Sequence, residues 1–281
     1  TTEIYTLSLH DALPILCLPL WKASLLGGCM RILFIGDVYM DQGRVALKKY
    51  FETVRRDTKA QLILVNGENI ATGNGITEPI YKELMQMGVH GITLGNHAYT
   101  QRDSLPLLEE GNICRPANYG PGAKGKPYLV LDFNGKKVAV INLLGRVFMR
   151  DPIDNPFTKM DELLQSIQAD YTIVDFHAEA TSEKYAMANY LDGRVDALIG
   201  THTHVPTADN TKFPKGMLYI SDVGMTGVRF GIIGGEIKQG IRKFVSGVPE
   251  RTLPEKQGPL QFNAVLIDLT LKRIERINIF E

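Results

Sequence analysis

Four of the six histidines of this 281-residue chain, His97, His177, His202 and His204, lie just beyond short apolar runs. Two of them sit two apart in Gly200-Thr201-His202-Thr203-His204, directly after the mostly apolar stretch Val195 to Ile199. In an extended segment alternate residues share a face, so this spacing aims two imidazoles at one point. Other run ends gather compatible groups: Asp37 after Ile32–Ile35, Glu68 and Asn69 after Leu62–Val65, and Asn96 beside His97 after Val89–Leu94. Imidazole nitrogen, carboxylate and amide oxygen together make a ligand set for Zn, Mn, Fe or Mg. Two carboxylates, two amides and at least three imidazoles exceed what one ion needs. They suit two ions roughly 3.5–4 Å apart, bridged by one carboxylate and a hydroxide that acts as the nucleophile. Such a pair offsets charge on phosphoryl oxygens and acidifies the bridging water, which is the chemistry of phosphate-ester hydrolysis.

Each residue alone has an ordinary alternative. Asp37 after a glycine can form a turn or cap a helix. Glu68 and Asn69 can be a solvated loop, Asn96 a turn cap, and His177 a core histidine bonded to backbone. Five coincident run ends argue against five separate accidents.

The elements that must position these groups alternate along the chain. Strands over Ile32–Ile35, Leu62–Val65 and Val89–Leu94 are separated by helices over Gly43–Arg56 and Thr77–Met87. The first helix is expected to bury Val45, Leu47, Tyr50, Phe51 and Val54. This alternation predicts an α/β layout with active residues at the carboxyl ends of strands. Asn134-Gly135 between Tyr128–Phe133 and Lys137–Asn142 is a type I′ hairpin signal. Helices follow over Met160–Gln168 and Thr181–Leu191, with strands over Tyr171–Asp175, Asp196–Ile199, Met217–Ile220, Gln261–Leu269 and Arg276–Phe280. Residues 30–281 parse as one domain.

Bulk composition excludes several functions. Thirty-one basic and 31 acidic residues balance, so neither a DNA-binding footprint nor a polybasic membrane patch is present. Three cysteines without framework spacing point to a reducing, cytoplasmic setting. The apolar stretch Leu13 to Leu26 is broken by Pro14, Pro19 and Lys22, is too short to span a bilayer, and follows no basic segment. Residues 1–29, with Thr6 to Ile15 resembling translated adapter sequence, read as an extension that is not native to the working protein. No apolar stripe identifies a self-association surface, and oligomeric state is left open.

Five segments resemble, in order, the bacterial calcineurin-like metallophosphoesterases of the YmdB type. They are Gly36-Asp37, Asn66-Gly67-Glu68-Asn69, Gly95-Asn96-His97, Phe176 to Lys184, and Gly200 to Val205. Arg115 to Tyr119, Asn142 to Met149 and Ser221 to Gly227 also match. The resemblance implies an α/β fold, a four-layer αββα sandwich of two mixed sheets. It further implies that Asp37, Glu68, Asn69 and His204 hold one metal, and that Glu68 (bridging), Asn96, His177 and His202 hold the other. His97 would then protonate the leaving oxygen or stabilise the transition state. The implied activity is phosphodiester hydrolysis, with 2′,3′-cyclic nucleotides as substrates and Mn or Fe, with Mg or Zn as alternatives, as metals.

Two departures from the family pattern bear on different steps. Tyr39-Met40-Asp41, in place of small residues after the first motif, bears on substrate choice, and Thr100, where an aspartate is usual, bears on the orientation of His97 and so on turnover. Arg115, Asn118 and Arg146 are candidates for phosphate or base contact, equally readable as structural residues. Competing functions are a phosphomonoesterase, an RNA-end phosphoesterase, and a regulatory protein that keeps the metals and binds nucleotide without turnover.

Overall fold

The computed structural model describes residues 30–281, so the expectation about residues 1–29 lies outside the described residues. In chain order the strands are β1 (Arg31–Ile35), β2 (Leu62–Asn66), β3 (Gly91–Thr93), β4 (Ile113–Cys114), β5 (Tyr128–Phe133) and β6 (Lys136–Leu144). There follow β7 (Tyr171–His177), β8 (Ala197–Thr201), β9 (Thr211–Lys212), β10 (Leu218–Ile220), β11 (Gly227–Val228), β12 (Leu260–Asp268) and β13 (Arg273–Phe280). The helices are α1 (Met40–Thr58), α2 (Glu78–Met87), α3 (Leu105–Glu110), α4 (Pro156–Ser166), α5 (Thr181–Leu191) and α6 (Ile237–Ser246).

The strands form two mixed sheets. In the first, β1 to β4 run parallel in sequence order, and β12 lies antiparallel to β1 with β13 beyond it. In the second, β6, β7, β8 and β10 run parallel between the antiparallel edges β5 and β9.

Alternation along the strands feeds three large cores. Leu33, Ile35, Ile63 and Val65 pack under α1 and α2 against Leu47, Phe51 and Leu84. Their neighbours Ile32, Phe34, Leu62 and Leu64 face the second sheet and meet Val138, Val140, Ile173 and Ile199. On the far side, Leu143, Val174, Phe176 and Leu198 pack against Met160, Met187 and Leu191 of α4 and α5. Helix, sheet, sheet, helix is the four-layer sandwich expected. Because both faces of these strands are buried, their sequences read as unbroken apolar runs. Truncating a side chain such as Phe34, wholly buried between the sheets, costs about 3–5 kcal/mol.

Several boundaries differ from expectation. Helix α1 starts at Met40, three residues early, and Val45 is exposed while Ala46 takes its place against the sheet. Helix α4 starts at Pro156, where the Asn155 side chain accepts the Phe157 N–H and proline fits the first turn. Strand β3 is only Gly91–Thr93, and β13 begins at Arg273. The Asn134-Gly135 turn has φ values of 50° and 73°, as a type I′ hairpin requires. Among the described residues no helix is long and apolar enough to cross a membrane.

Candidate metal centre

His177 is the last residue of β7, and the other predicted ligands come from loops at the carboxyl ends of β1, β2, β3 and β8. Both sheets therefore contribute. Asn66 closes β2 and its side-chain oxygen accepts the Glu68 N–H at 3.1 Å, a local turn that aims Glu68 inward. Gly95 lets the third loop come close: a Cβ there would overlap Glu68 Oε2 and His177 Nε2.

The His202–His204 segment is not extended, contrary to the two-residue periodicity argument. Strand β8 ends at Thr201, and His202 and His204 have φ of 101° and 66°. Backbone strain of this kind persists only where the surroundings over-determine it. Here Asp37 Oδ2 accepts the His202 N–H at 3.3 Å, Asp222 Oδ2 accepts the Thr203 N–H at 3.0 Å, and His204 O accepts the Met225 N–H at 3.1 Å. The two imidazoles consequently point to different neighbours.

His202 joins Glu68 and His177 in a three-ligand cluster whose donor atoms lie within 4.8 Å of one another. Glu68 Oε1 is 3.2 Å from His177 Nε2, which is 3.0 Å from His202 Nδ1. The outer nitrogens are occupied. His177 Nδ1 meets Thr201 Oγ1 at 2.8 Å, and that hydroxyl donates to Asp175 Oδ1 at 2.7 Å, so the ring must donate from Nδ1. His202 Nε2 pairs with Glu179 Oε2 at 3.1 Å. Such partners fix the tautomer and turn the remaining lone pair toward a cation.

His204 makes a second convergence. Its Nδ1 donates to Ile233 O at 2.9 Å, and the Asn69 amide donates to Gly73 O at 2.9 Å. That leaves His204 Nε2 and Asn69 Oδ1 facing each other at 3.1 Å as two lone-pair donors. Asp37 Oδ1 and Asn96 Oδ1 are buried without a hydrogen-bond partner among the described residues. Orphaned acceptors and facing lone pairs are the arrangement a cation resolves, and the nitrogen and oxygen donors fit Mn, Fe, Zn or Mg.

The ionisation of these groups follows from the crowding. Burial alone would raise Glu68, yet His177, with His97 and His202, brings its carboxyl down to about 2. Burial alone would lower His177, yet Glu68, Asp37 and Asp175 raise it to about 9. Burial and the neighbouring His177 push His202 down to about 3. Burial pushes the Asp37 carboxyl up. Positive charge on His177 is thus paired with the Glu68 carboxylate 3.2 Å away.

His97 stands apart at the rim, half-buried, with Nε2 3.9 Å from Glu68 Oε1 and 3.4 Å from the Asn96 amide nitrogen. It lines a cleft of about 400 Å³ together with Glu68, Asn69, His202 and His204. Arg115 and Asn118 are elsewhere employed. Arg115 donates to three loop carbonyls, of Pro116, Ala123 and Lys124, and Asn118 ties Leu144 to Asp154. Arg146 is exposed, and its backbone N–H donates to Glu183.

Sequence reasoning missed the groups behind the ligands: Asp175, Thr201, Glu179, Lys184 and Asp222. The signal was present for Asp175, a carboxylate inside an apolar strand, and for Glu179, two residues past the end of that strand.

Comparison with known proteins agrees with this geometry. The family model described as YmdB-like protein matches residues 33–280. A 2′,3′-cyclic-nucleotide 2′-phosphodiesterase of Bacillus subtilis is 45% identical over 256 residues, covering 88% of this chain and 96% of that protein. A crystal structure of a protein from Thermus thermophilus is 43% identical with a TM-score of 0.85, covering 90% of this chain and all of that one. One of a phosphatase from Mycoplasma pneumoniae is 37% identical, also with a TM-score of 0.85, covering 91% and 95%. With its layers, its ligand cluster and its relatives in accord, the chain belongs to the YmdB-like family of calcineurin-like metallophosphoesterases, which are metal-dependent phosphoester hydrolases.

Proposed function

We propose that this chain opens 2′,3′-cyclic nucleotides at a dinuclear centre. Asp37, Glu68, Asn69 and His204 hold one ion, and Glu68, Asn96, His177 and His202 hold the other. The observation that carries the reading is the double convergence of lone pairs, at Asn69–His204 and at Glu68–His177–His202, joined through consecutive residues of one loop. The substrate class rests on the Bacillus subtilis relative.

Bound Mn or Fe would supply positive charge to the phosphoryl oxygens and acidify the attacking water. The chain does the rest. Glu68, ionised far below neutrality, offers a carboxylate to both positions. His202, held neutral, presents a lone pair rather than a charge. His97, at the open rim, donates a proton to the departing ribose oxygen. A strained five-membered cyclic phosphate needs no more than one such acid.

The test is metal analysis of the purified full chain, paired with turnover of 2′,3′-cAMP, bis-p-nitrophenyl phosphate, p-nitrophenyl phosphate and a short oligoribonucleotide. Two ions per chain and preference for the cyclic nucleotide are expected. One ion per chain, or no turnover of 2′,3′-cAMP with Mn, would overturn the reading. Preference for the monoester or the oligonucleotide would assign the competing activities, and bound nucleotide without turnover the regulatory one.

A further inference from the structure

Beside the metal cleft lies a larger cavity, about 660 Å³, that no part of the proposed chemistry uses. The two spaces share five wall residues, Tyr39, Gly73, Asn74, His97 and Thr252, so they are adjoining rooms with His97 in the partition. A volume of this size is ordinary for a small-molecule site.

The direction of the reaction decides what the second room holds. The oxygen that His97 protonates is a ribose hydroxyl in the making, so the ribose must lie on the His97 side of the phosphorus. The base is attached to that ribose and must lie further along the same line. The room that continues past His97 is this cavity.

Its walls carry the chemistry a nucleobase needs. Tyr39, Met40, Val228 and Leu253 supply flat or apolar surface. Among the wall's polar side-chain groups with no hydrogen-bond partner among the described residues are the Tyr39 hydroxyl and the amides of Gln42 and Asn74. Unstacked bases are held by such pairs of contacts, an aromatic against the ring and polar groups at its edge. Tyr39 also reaches the metal side, its ring edge-on to His204 at 5.4 Å, and it is pinned from behind by Gly234, where a Cβ would overlap the ring. The wall residues Met40 and Thr72 have φ of 54° and 47°. Strain of that kind gathers where a ligand is clamped.

We infer that this cavity is the nucleoside subsite, with the base lying against Tyr39 and read at its edge by Gln42 and Asn74. It gives Tyr39-Met40 a purpose: these residues build the base-side wall and set which cyclic nucleotides are accepted. The inference rests on the cyclic-nucleotide reading of the metal site.

The experiment separates the two. Saturation-transfer NMR with adenosine, which has no phosphate, is recorded on the full chain after chelation of metals, in wild type and in Leu253→Trp. Leu253 is half exposed on the cavity wall, so tryptophan fills the room from its mouth. Gln42→Ala, a truncation, serves where tryptophan disturbs folding. In parallel, KM is measured for 2′,3′-cAMP and for ribose 2′,3′-cyclic phosphate, which lacks the base. Expected are adenine H2 and H8 saturation in wild type that the variants lose, and a KM for 2′,3′-cAMP raised roughly tenfold more than that for the baseless analogue. Undiminished adenine saturation in both variants, or equal KM changes for the two substrates, overturns the subsite. Adenosine contact that the variants abolish in a protein that does not turn over 2′,3′-cAMP upholds the subsite while refuting the proposed reaction.

Discussion

Replacing Lys184 with methionine tests how the strained histidine turn is held. Lys184 Nζ donates to Thr201 O and to Asp222 Oδ2, both at 2.9 Å, and each of the two residues is 1% exposed. Asp222 in turn accepts the Thr203 N–H at 3.0 Å and the Gly224 N–H at 2.8 Å. The pair therefore grips the backbone on both sides of His202. Lys184→Met keeps the apolar stem but leaves a buried carboxylate with only two backbone donors and leaves Thr201 O unpaired. Removing one partner of a buried ion pair costs about 3–5 kcal/mol. At about 2–4 °C per kcal/mol for a chain of this size, the melting temperature should fall by about 6–20 °C. Loosening the support behind a ligand should also weaken metal binding about 10–100-fold. Thermal melts under chelation and a metal titration below the melting range read the two effects separately. Adding Asp222→Asn removes the stranded charge, so the double variant should be more stable than the sum of the single losses. A melting temperature within a degree of wild type with unchanged metal affinity would refute the argument, as would strict additivity in the cycle.

His97→Asn should lower kcat on 2′,3′-cAMP by about 10²–10⁴ while metal content per chain stays at the wild-type value, and loss of metal would remove His97 from the acid role. Gly95→Ala should destabilise by about 1–3 kcal/mol and depress metal affinity, because its Cβ claims the space of Glu68 Oε2 and His177 Nε2; a titration matching wild type would refute the close approach. Metal binding at pH 7 should release protons, chiefly from His177 raised to about 9, with Asp37, whose carboxyl burial pushes up, adding to the release, while Glu68 at about 2 and His202 at about 3 are already deprotonated. Affinity should accordingly climb as pH rises toward about 9 and level off above it; calorimetry in buffers of different ionisation heat, showing no release, would contradict the assignment.

How much of this was legible in the sequence depends on what each segment buries. Strands β1, β2 and β8 are enclosed on both faces, so they appear as apolar runs and the first polar residue marks the exit. That is why Asp37, Glu68 and the histidines stood out. Helix α1 was legible as a helix but not in its exact face, because Val45 and Ala46 are neighbours and only packing against the sheet chooses between them. Helix α6 was passed over for a physical reason. Ile241, Phe244 and Val245 on it face solvent while Gln239 is buried, the reverse of the pattern that marks a core helix. The His202–His204 spacing was read as strand alternation, yet two residues apart suits a left-handed turn as well, and only the clamp by Asp37 and Asp222 selects it. Arg115 and Asn118 carry groups suited to phosphate, and nothing in their local sequence says that backbone carbonyls claim them first.

The site's position between the sheets has a consequence for how metal binding and folding are linked. Asp37, Glu68 and Asn69 come from one sheet and His177, His202 and His204 from the other, so ions held there would tie the sheets together. The tie is not what assembles them. Ile32, Phe34, Leu62 and Leu64 already pack on Val138, Val140 and Ile173 between the layers, and Asn66 Nδ2 donates to Asp175 Oδ2 across the gap at 2.9 Å. A wholly buried side chain of this kind contributes about 1.5–3 kcal/mol, and there are many of them. Metal at a hundred times its dissociation constant adds about 2.7 kcal/mol. The apolar interface therefore outweighs the ions as the force that joins the sheets.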